Sequence, residues 1–244
     1  MRYFFRVEYD GSRYGGWQRQ PNAVSIQELL EKAFETALRR PISIVGAGRT
    51  DAGVHAKEQG AHMDTDNPVD IRRCERSINA LLPREIAIHN LQQVSDSFHA
   101  RYSAISRRYV YLICTRKRPL NFGRAWLLLY DVDWDQVRNN LQFLRGTHDF
   151  TSFCASGSGT LNNICTVKNV SLEDEQGFIK FTIEADRFIY KMVRTIVGTL
   201  IEIGRGKIKL PMKDIIDAQN RSKAGETASP TGLFLENVFY PGVI

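Results

Sequence analysis

The chain of 244 residues is 43% hydrophobic and carries a formal net charge of +6, enough apolar material for one large or two small packed domains. No apolar run reaches the roughly 20 residues of a membrane helix, and Met1-Arg-Tyr-Phe-Phe-Arg6 meets charge too early for a signal peptide, so a cytoplasmic protein with no membrane partner is expected. The cysteines Cys74, Cys114, Cys154 and Cys165 lack Cys-x-x-Cys spacing, and the histidines do not pair at helical ligand spacing, so buried free thiols are expected rather than disulfides, and no metal.

Met1 to Tyr9 alternates, with Phe5, Val7 and Tyr9 on one face, and reads as a strand. Ser25 and Glu28 form a capping box, after which Ile26, Leu29, Leu30, Ala33, Phe34, Ala37 and Leu38 keep helical spacing until Pro41. Strands follow at 42–48 and 56–64, then a helix over 68–82 carrying Ile71, Cys74, Ile78 and Leu81, and strands near 85–94 and 105–115. The first half thus predicts a mixed sheet with helices on one face. The polar, proline-bearing stretch 116–123 marks a boundary, giving halves of 1–115 and 116–244. Beyond it the pattern restarts: a strand at 125–130, a helix at 134–144, and strands at 164–173 and 178–185 joined by an acidic turn. A long buried helix is expected over 188–203, another helix after Pro211, and a last strand at 233–240. Two βαβ-like halves would leave a cleft as the default site.

The segment Val45-Gly-Ala-Gly-Arg-Thr-Asp-Ala-Gly-Val-His55 sets one carboxylate, Asp51, among small residues with Arg49 two positions before it. Gly46, Gly48 and Gly53 permit positive φ and close approach of a ligand to the main chain, which suits a nucleophile or base. A tight turn in which Asp51 bonds its own backbone is the competing reading. A dinucleotide loop does not fit: Asp stands where its third glycine belongs, and 54–65 shows no helical period.

The positive charge is unevenly spread. Residues 1–122 hold 19 Lys and Arg against 13 Asp and Glu, and residues 123–244 hold 14 of each. Of those 19 cations 16 are Arg, whose planar fork pairs bidentately with phosphate and stacks on bases. Clusters at Arg39-Arg40, Arg72-Arg73 with Arg76, Arg107-Arg108 and Arg116-Lys-Arg118 favour a polyanion partner over a merely solvated face.

The loop string resembles the Gly-Arg-Thr-Asp-Ala-Gly-Val-His motif of the tRNA pseudouridine synthases of the TruA family. Further matches follow in order: Tyr9-Asp-Gly, Gly15-Gly-Trp-Gln18, Phe98-His-Ala-Arg101, Arg107-Arg-Tyr-Val-Tyr111, His148-Asp-Phe-Thr-Ser-Phe153, Phe188-Ile-Tyr-Lys-Met-Val-Arg194 and Ser229-Pro-Thr-Gly-Leu233. Small departures fall at Thr160-Leu-Asn-Asn-Ile164 and Ala228-Ser-Pro230. The resemblance implies an α+β pseudouridine synthase fold: two ferredoxin-like halves with a joined, mostly antiparallel sheet and a central cleft. It implies Asp51 as nucleophile, Arg194 as its charge partner, and Tyr109 as a ring that stacks on the base and helps remove the C5 proton. It places Leu233 against the other side of the base. Arg49 is better placed for phosphate binding or for extruding the target nucleotide than for bond chemistry, and Arg107 and Arg108 are further candidates for binding the substrate. A homodimer acting on uridines 38 to 40 of the tRNA anticodon stem-loop, with no cofactor, is likewise implied. Taken alone, Arg194 could be a solvent-facing helix residue and Tyr109 a core residue of an alternating strand. A non-catalytic RNA-binding protein and a nucleic-acid glycosidase are the competing functions.

Overall fold

Strand β1 (Arg2–Tyr9) is buried on both faces, where alternation predicts one. Phe5 packs on Phe34 of helix α1 (Ile26–Leu38) with ring centroids 5.0 Å apart. On the opposite face Phe4 meets Phe98 at 5.3 Å and Tyr240 at 5.2 Å. The second face is therefore closed by aromatic residues from a loop and from the chain's end, a contact that no local pattern encodes. These features come from a computed structural model that describes residues 1–155, 157, 162–175 and 177–242. The Thr160-Leu161 part of the varied segment, Gln176 of the acidic turn, and Val243-Ile244 lie outside the described residues.

The chain divides into two units, Met1–Ile105 with Phe234–Ile244, and Ser106–Leu233. This differs from a break at residue 116. Strand β5, placed at 105–115 in the first half by the sequence, belongs to the second unit through its ladder with a later strand, and the last strand returns to the first unit.

In the first unit β1 pairs antiparallel with β3 (His55–Asp64) and with β4 (Ile86–Val94). The other edge of β3 is shared: β2 (Ile44–Gly46) pairs antiparallel with its residues 61–63, and β10 (Leu233–Phe239) pairs parallel with His55 and Ala56. With α1 and α2 (Ile71–Leu81) this is the βαββαβ order of a ferredoxin-like half. Helix α1 starts where its cap predicts, Ser25 accepting from the Glu28 N–H, and ends with Arg39 in the left-handed region at φ 54°. One turn of α1 grips both backbone groups of Ile44: the Glu31 carboxylate accepts its N–H at 3.1 Å and the Gln27 amide donates to its C=O at 2.9 Å. That grip fixes where the loop after β2 begins. On α2 only Cys74 and Ile78 are buried; Ile71 and Leu81 of the expected stripe are exposed, as are Arg72, Arg73 and Arg76.

Buried His62 on β3 accepts the Ala100 N–H through Nδ1 at 3.2 Å. Burial, reinforced by the positive charge of Arg2 and by His99, pushes its pKa down to about 4, against the opposing pull of Asp64. The unfolded chain would hold that proton up to the ordinary histidine value of about 6.5. The unfolded state therefore binds more protons between those pH values, and the stabilisation present above pH about 6.5 is lost as pH falls toward 4. We expect denaturant titrations at pH 7 and pH 4.5 to differ by up to about 3 kcal/mol from this residue, with His62→Gln flattening the slope.

In the second unit β9 (Phe178–Ala185) lies between β5 (Ser106–Cys114) and β8 (Ile164–Glu175), antiparallel to both. The short β7 (Gly146–Asp149), which the pattern did not predict, adds antiparallel beside β8. The strand expected at 125–130 shrinks to β6 (Trp126–Leu127), parallel to Ile113 and Cys114, because Leu128 turns into the core while Leu129 and Tyr130 face out. Helix α3 (Trp134–Leu141) is capped by the Asp133 carboxylate and runs into a short tighter turn at 142–144. Helix α4 (Met192–Gly204) begins four residues later than expected, since Lys191 sits at φ 59°, which no right-handed helix accommodates. Every α4 residue except Arg194 and Glu202 is buried. A short helix, α5 (Met212–Asp217), follows Pro211 as expected. The order β5, α3, β8, β9, α4 repeats the strand–helix–strand–strand–helix run of the first unit. Cys74, Cys114 and Cys165 are buried free thiols, and Cys154 is half-buried.

Candidate active site

Residues 47–54 leave β2 and return as β3, and the loop between is held by backbone and side-chain bonds from three directions. The Ala47 N–H donates to the Gly60 C=O at 2.8 Å, the Gln59 amide donates to the Gly48 C=O at 2.9 Å, and the Trp17 N–H donates to the Thr50 C=O at 3.1 Å. The buried Thr50 hydroxyl pairs with that of Tyr9 at 2.7 Å. Val54 N–H closes the turn on the Asp51 C=O at 3.2 Å, with Gly53 at φ 78° as the residue that lets it close. Gly46 serves a different need, since a Cβ there would lie 2.5 Å from the Trp17 ring. Asp51 is thus half-buried at the tip of a loop fixed on both sides.

Arg49 is exposed, its Nε donating to the Gln18 amide oxygen at 3.1 Å, so its guanidinium is oriented at the surface beside the loop. Tyr9-Asp-Gly and Gly15-Gly-Trp-Gln18, which residue chemistry alone gave no role, therefore supply the scaffold under Asp51. Asp10 Oδ1 also stands 3.2 Å from His55 Nδ1, but the Gly11 N–H donates to that nitrogen at 3.2 Å. Both groups thus converge on one ring nitrogen of His55, at the first residue of β3.

The second unit holds the remaining expected residues. On β5, half-buried Tyr109 meets the Phe188 ring edge-on, centroids 5.1 Å apart. Its strand neighbour Tyr111 is the core residue of the pair: it is fully buried, its hydroxyl donates to the Ser229 C=O at 2.7 Å, and burial drives its pKa far up. Arg194 lies near enough for its charge to oppose that rise. Half-buried Arg194 exchanges two bonds with Ala228: its Nε donates to the Ala228 C=O at 2.8 Å, and its own C=O accepts the Ala228 N–H at 3.1 Å. It is neither a plain solvent-facing residue nor a core one. Leu233 is buried just past Gly232, where a Cβ would strike the Leu112 C=O at 2.6 Å. Arg107 donates to the Asp186 C=O at 2.8 Å. Arg108 is turned to Glu184, donating from Nε at 3.1 Å and from its terminal nitrogen at 2.8 Å while Ser106 holds the other carboxylate oxygen, so its charge is matched within the unit.

A family model described as tRNA pseudouridine synthase matches residues 6–103 and 141–241. The chain is 43% identical over 237 residues to a tRNA pseudouridine synthase A of Thermoanaerobacter sp., covering 96% of this chain and 97% of that protein. It is 43% identical over 245 residues to one from Bacteroides fragilis, covering 99% and 97%, and 39% identical over 237 residues to one from Clostridium kluyveri, covering 96% and 97%. The α+β architecture and these relatives place the chain in the tRNA pseudouridine synthase family. A solved structure titled as a Cbf5-Nop10-Gar1 complex is a remote likeness, with TM-score 0.42 and 9% identity over 82% of this chain and 44% of that one.

Proposed function

We propose that this chain converts uridine to pseudouridine in tRNA with Asp51 as the attacking carboxylate. The reaction breaks the N1–C1′ bond, turns the uracil, joins C5 to C1′ and sheds the C5 proton. It donates no group and changes no oxidation state, so it calls for no cofactor. The observation that carries the reading is the loop itself: a carboxylate at a tip braced by backbone bonds, with Arg49 oriented beside it, in a chain of this family. Arg194, its Nε bonded to the Ala228 C=O, is the residue that the family motif assigns as charge partner of that carboxylate. Tyr109 stacks on the extruded base and takes the C5 proton, and Leu233 lies against the base's other side. Arg49, Arg107 and Arg108 contact the tRNA, Arg108 while also bonded to Glu184 across β5 and β9. Unmodified tRNA tritiated at uracil C5 tests the whole reading. A synthase releases the label and keeps the base, a glycosidase frees uracil, and a non-catalytic RNA-binding protein does neither.

The target is the anticodon arm at uridines 38 to 40. Exposed Arg72, Arg73 and Arg76 on α2 supply part of the phosphate grip. Log affinity should then fall linearly with log salt at roughly 0.7 to 0.9 per phosphate neutralised, and reversing Arg72 and Arg73 to Glu should shallow that slope by about 1.5. A flat response in filter binding refutes the contact.

The working form is a homodimer joined through the second unit. Leu120 and Phe122 are 96% and 92% exposed, with Leu129 and Tyr130 beyond them, a cost in water that a partner surface relieves. The terminal run from Phe234 adds little to that surface, since Leu235, Val238 and Tyr240 are buried. Sedimentation at micromolar concentration should give a dimer that Leu120→Ser with Phe122→Ser dissociates; a fully active monomer overturns it.

A further inference from the structure

Tyr102 is 76% exposed, yet its surroundings hold it in one place. His99 Nδ1 accepts both the Arg101 N–H at 3.1 Å and the Tyr102 N–H at 3.3 Å, which fixes the turn that presents the ring. Ser103 locks His99 from the other side, its hydroxyl accepting the His99 N–H at 2.9 Å and its own N–H reaching the His99 C=O at 2.8 Å. The His99 ring lies against Tyr102 with centroids 4.4 Å apart and planes 36° off parallel, and is itself backed by buried His62 at 4.8 Å. Burial with the nearby Arg2 and Arg101 charges keeps His99 below the usual histidine pKa, as a ring that accepts at Nδ1 requires. The Arg101 guanidinium stands 5.6 Å from the Tyr102 ring centre.

An exposed ring adds little to the core, so this ordering has no large stabilising return in the folded chain. An aromatic face beside a guanidinium matches one molecular unit in particular, an unpaired nucleotide, which offers a π-face to the ring and a phosphate to the cation. A second copy of the chain would need a wider apolar surface, and here the ring's partners are the polar side chains of His99 and Arg101. We propose that Tyr102 is a stacking platform for an unpaired nucleotide of the bound tRNA, outside the group of residues assigned to the bond chemistry; this rests on the reading of the chain as acting on tRNA.

Filter binding with unmodified tRNA tests it on the full chain. Tyr102→Ala should weaken binding on the order of ten-fold or more, the loss of one base–aromatic stack, and raise KM in tritium release while leaving kcat at saturating tRNA unchanged. Tyr102→Phe, which keeps the face and loses only the hydroxyl, should bind within about two-fold of the parent, and the salt slope should be unchanged in both variants because no charge is removed. Unchanged affinity in Tyr102→Ala overturns the proposal, as does a Tyr102→Phe loss equal to that of Ala. A dissociated dimer with unaltered affinity per protomer also overturns it, making the ring a subunit contact. The wild-type protein separates this from the underlying reading: if it neither binds tRNA nor releases label, both fall, whereas an active wild type with an indifferent Tyr102→Ala sinks the platform alone.

Discussion

An Asp51→Asn protein is expected to bind tRNA about as tightly as its parent and to release less than about one per cent of the parent's tritium per unit time, because removal of a covalent catalyst costs several orders of magnitude. The substitution keeps the side chain's shape and removes its negative charge and its nucleophilic oxygen. The bonds that brace the loop, Trp17 to Thr50, Gln59 to Gly48 and Val54 to the Asp51 carbonyl, are backbone or amide contacts that the new side chain leaves in place. The Tyr9–Thr50 hydroxyl pair is untouched as well. Loss of activity with an unaltered melting temperature and unaltered filter binding would therefore locate the defect in the chemical step. Residual single-turnover activity above about one per cent would remove Asp51 from the role of nucleophile and leave the loop as an RNA contact.

The regular elements were legible because their signals are local. Ser25 with its helical stripe specifies α1, and Asp51 stands out in its glycine-flanked string. The misses have one physical character: each depends on a partner distant in sequence. β1 reads as half-buried because Phe98 and Tyr240, which cover its second face, lie far along the chain. The partner of Arg108 is hidden in the same way, since only the register of β9 brings Glu184 opposite it. The last strand, β10, is read correctly as a strand, but its parallel pairing with β3 far back along the chain is not. The start of α4 fails for a local reason that composition hides, since Lys191 adopts a left-handed backbone in the middle of an apolar run. For the candidate site, residue chemistry singles out Asp51 and only the family motifs prefer Tyr109 to Tyr111; Tyr111 is buried and bonded to Ser229, whereas Tyr109 is half-buried.

Gly198→Ala is expected to be the most destabilising single-methyl change in the second unit. On helix propensity alone the substitution gains roughly 1 kcal/mol, as alanine replaces glycine inside α4. Packing opposes it: a Cβ at this position would fall 1.8 Å from the Glu226 C=O and 3.2 Å from the Ala228 N–H, both backbone atoms that cannot swing aside as a side-chain tip can. Overpacking against fixed backbone costs about 3 kcal/mol or more, so the clash outweighs the gain and the melting temperature should drop by roughly 4 to 8 °C. The segment it displaces is stitched to α4 at several points, with Gly225 N–H donating to Thr199, Thr195 paired with Thr227, and Ala228 exchanging two bonds with Arg194. Pushing that segment outward moves the anchor of the Arg194 guanidinium, so kcat should fall along with stability even at temperatures where the protein is fully folded. Gly48→Ala is the contrasting case, because its Cβ would enter open space and its φ is not in the left-handed region; its melting temperature should stay within about 2 °C of the parent. Equal melting temperatures for Gly198→Ala and the parent would show that the 224–228 segment yields freely, and that Arg194 is positioned by something other than its bonds to Ala228.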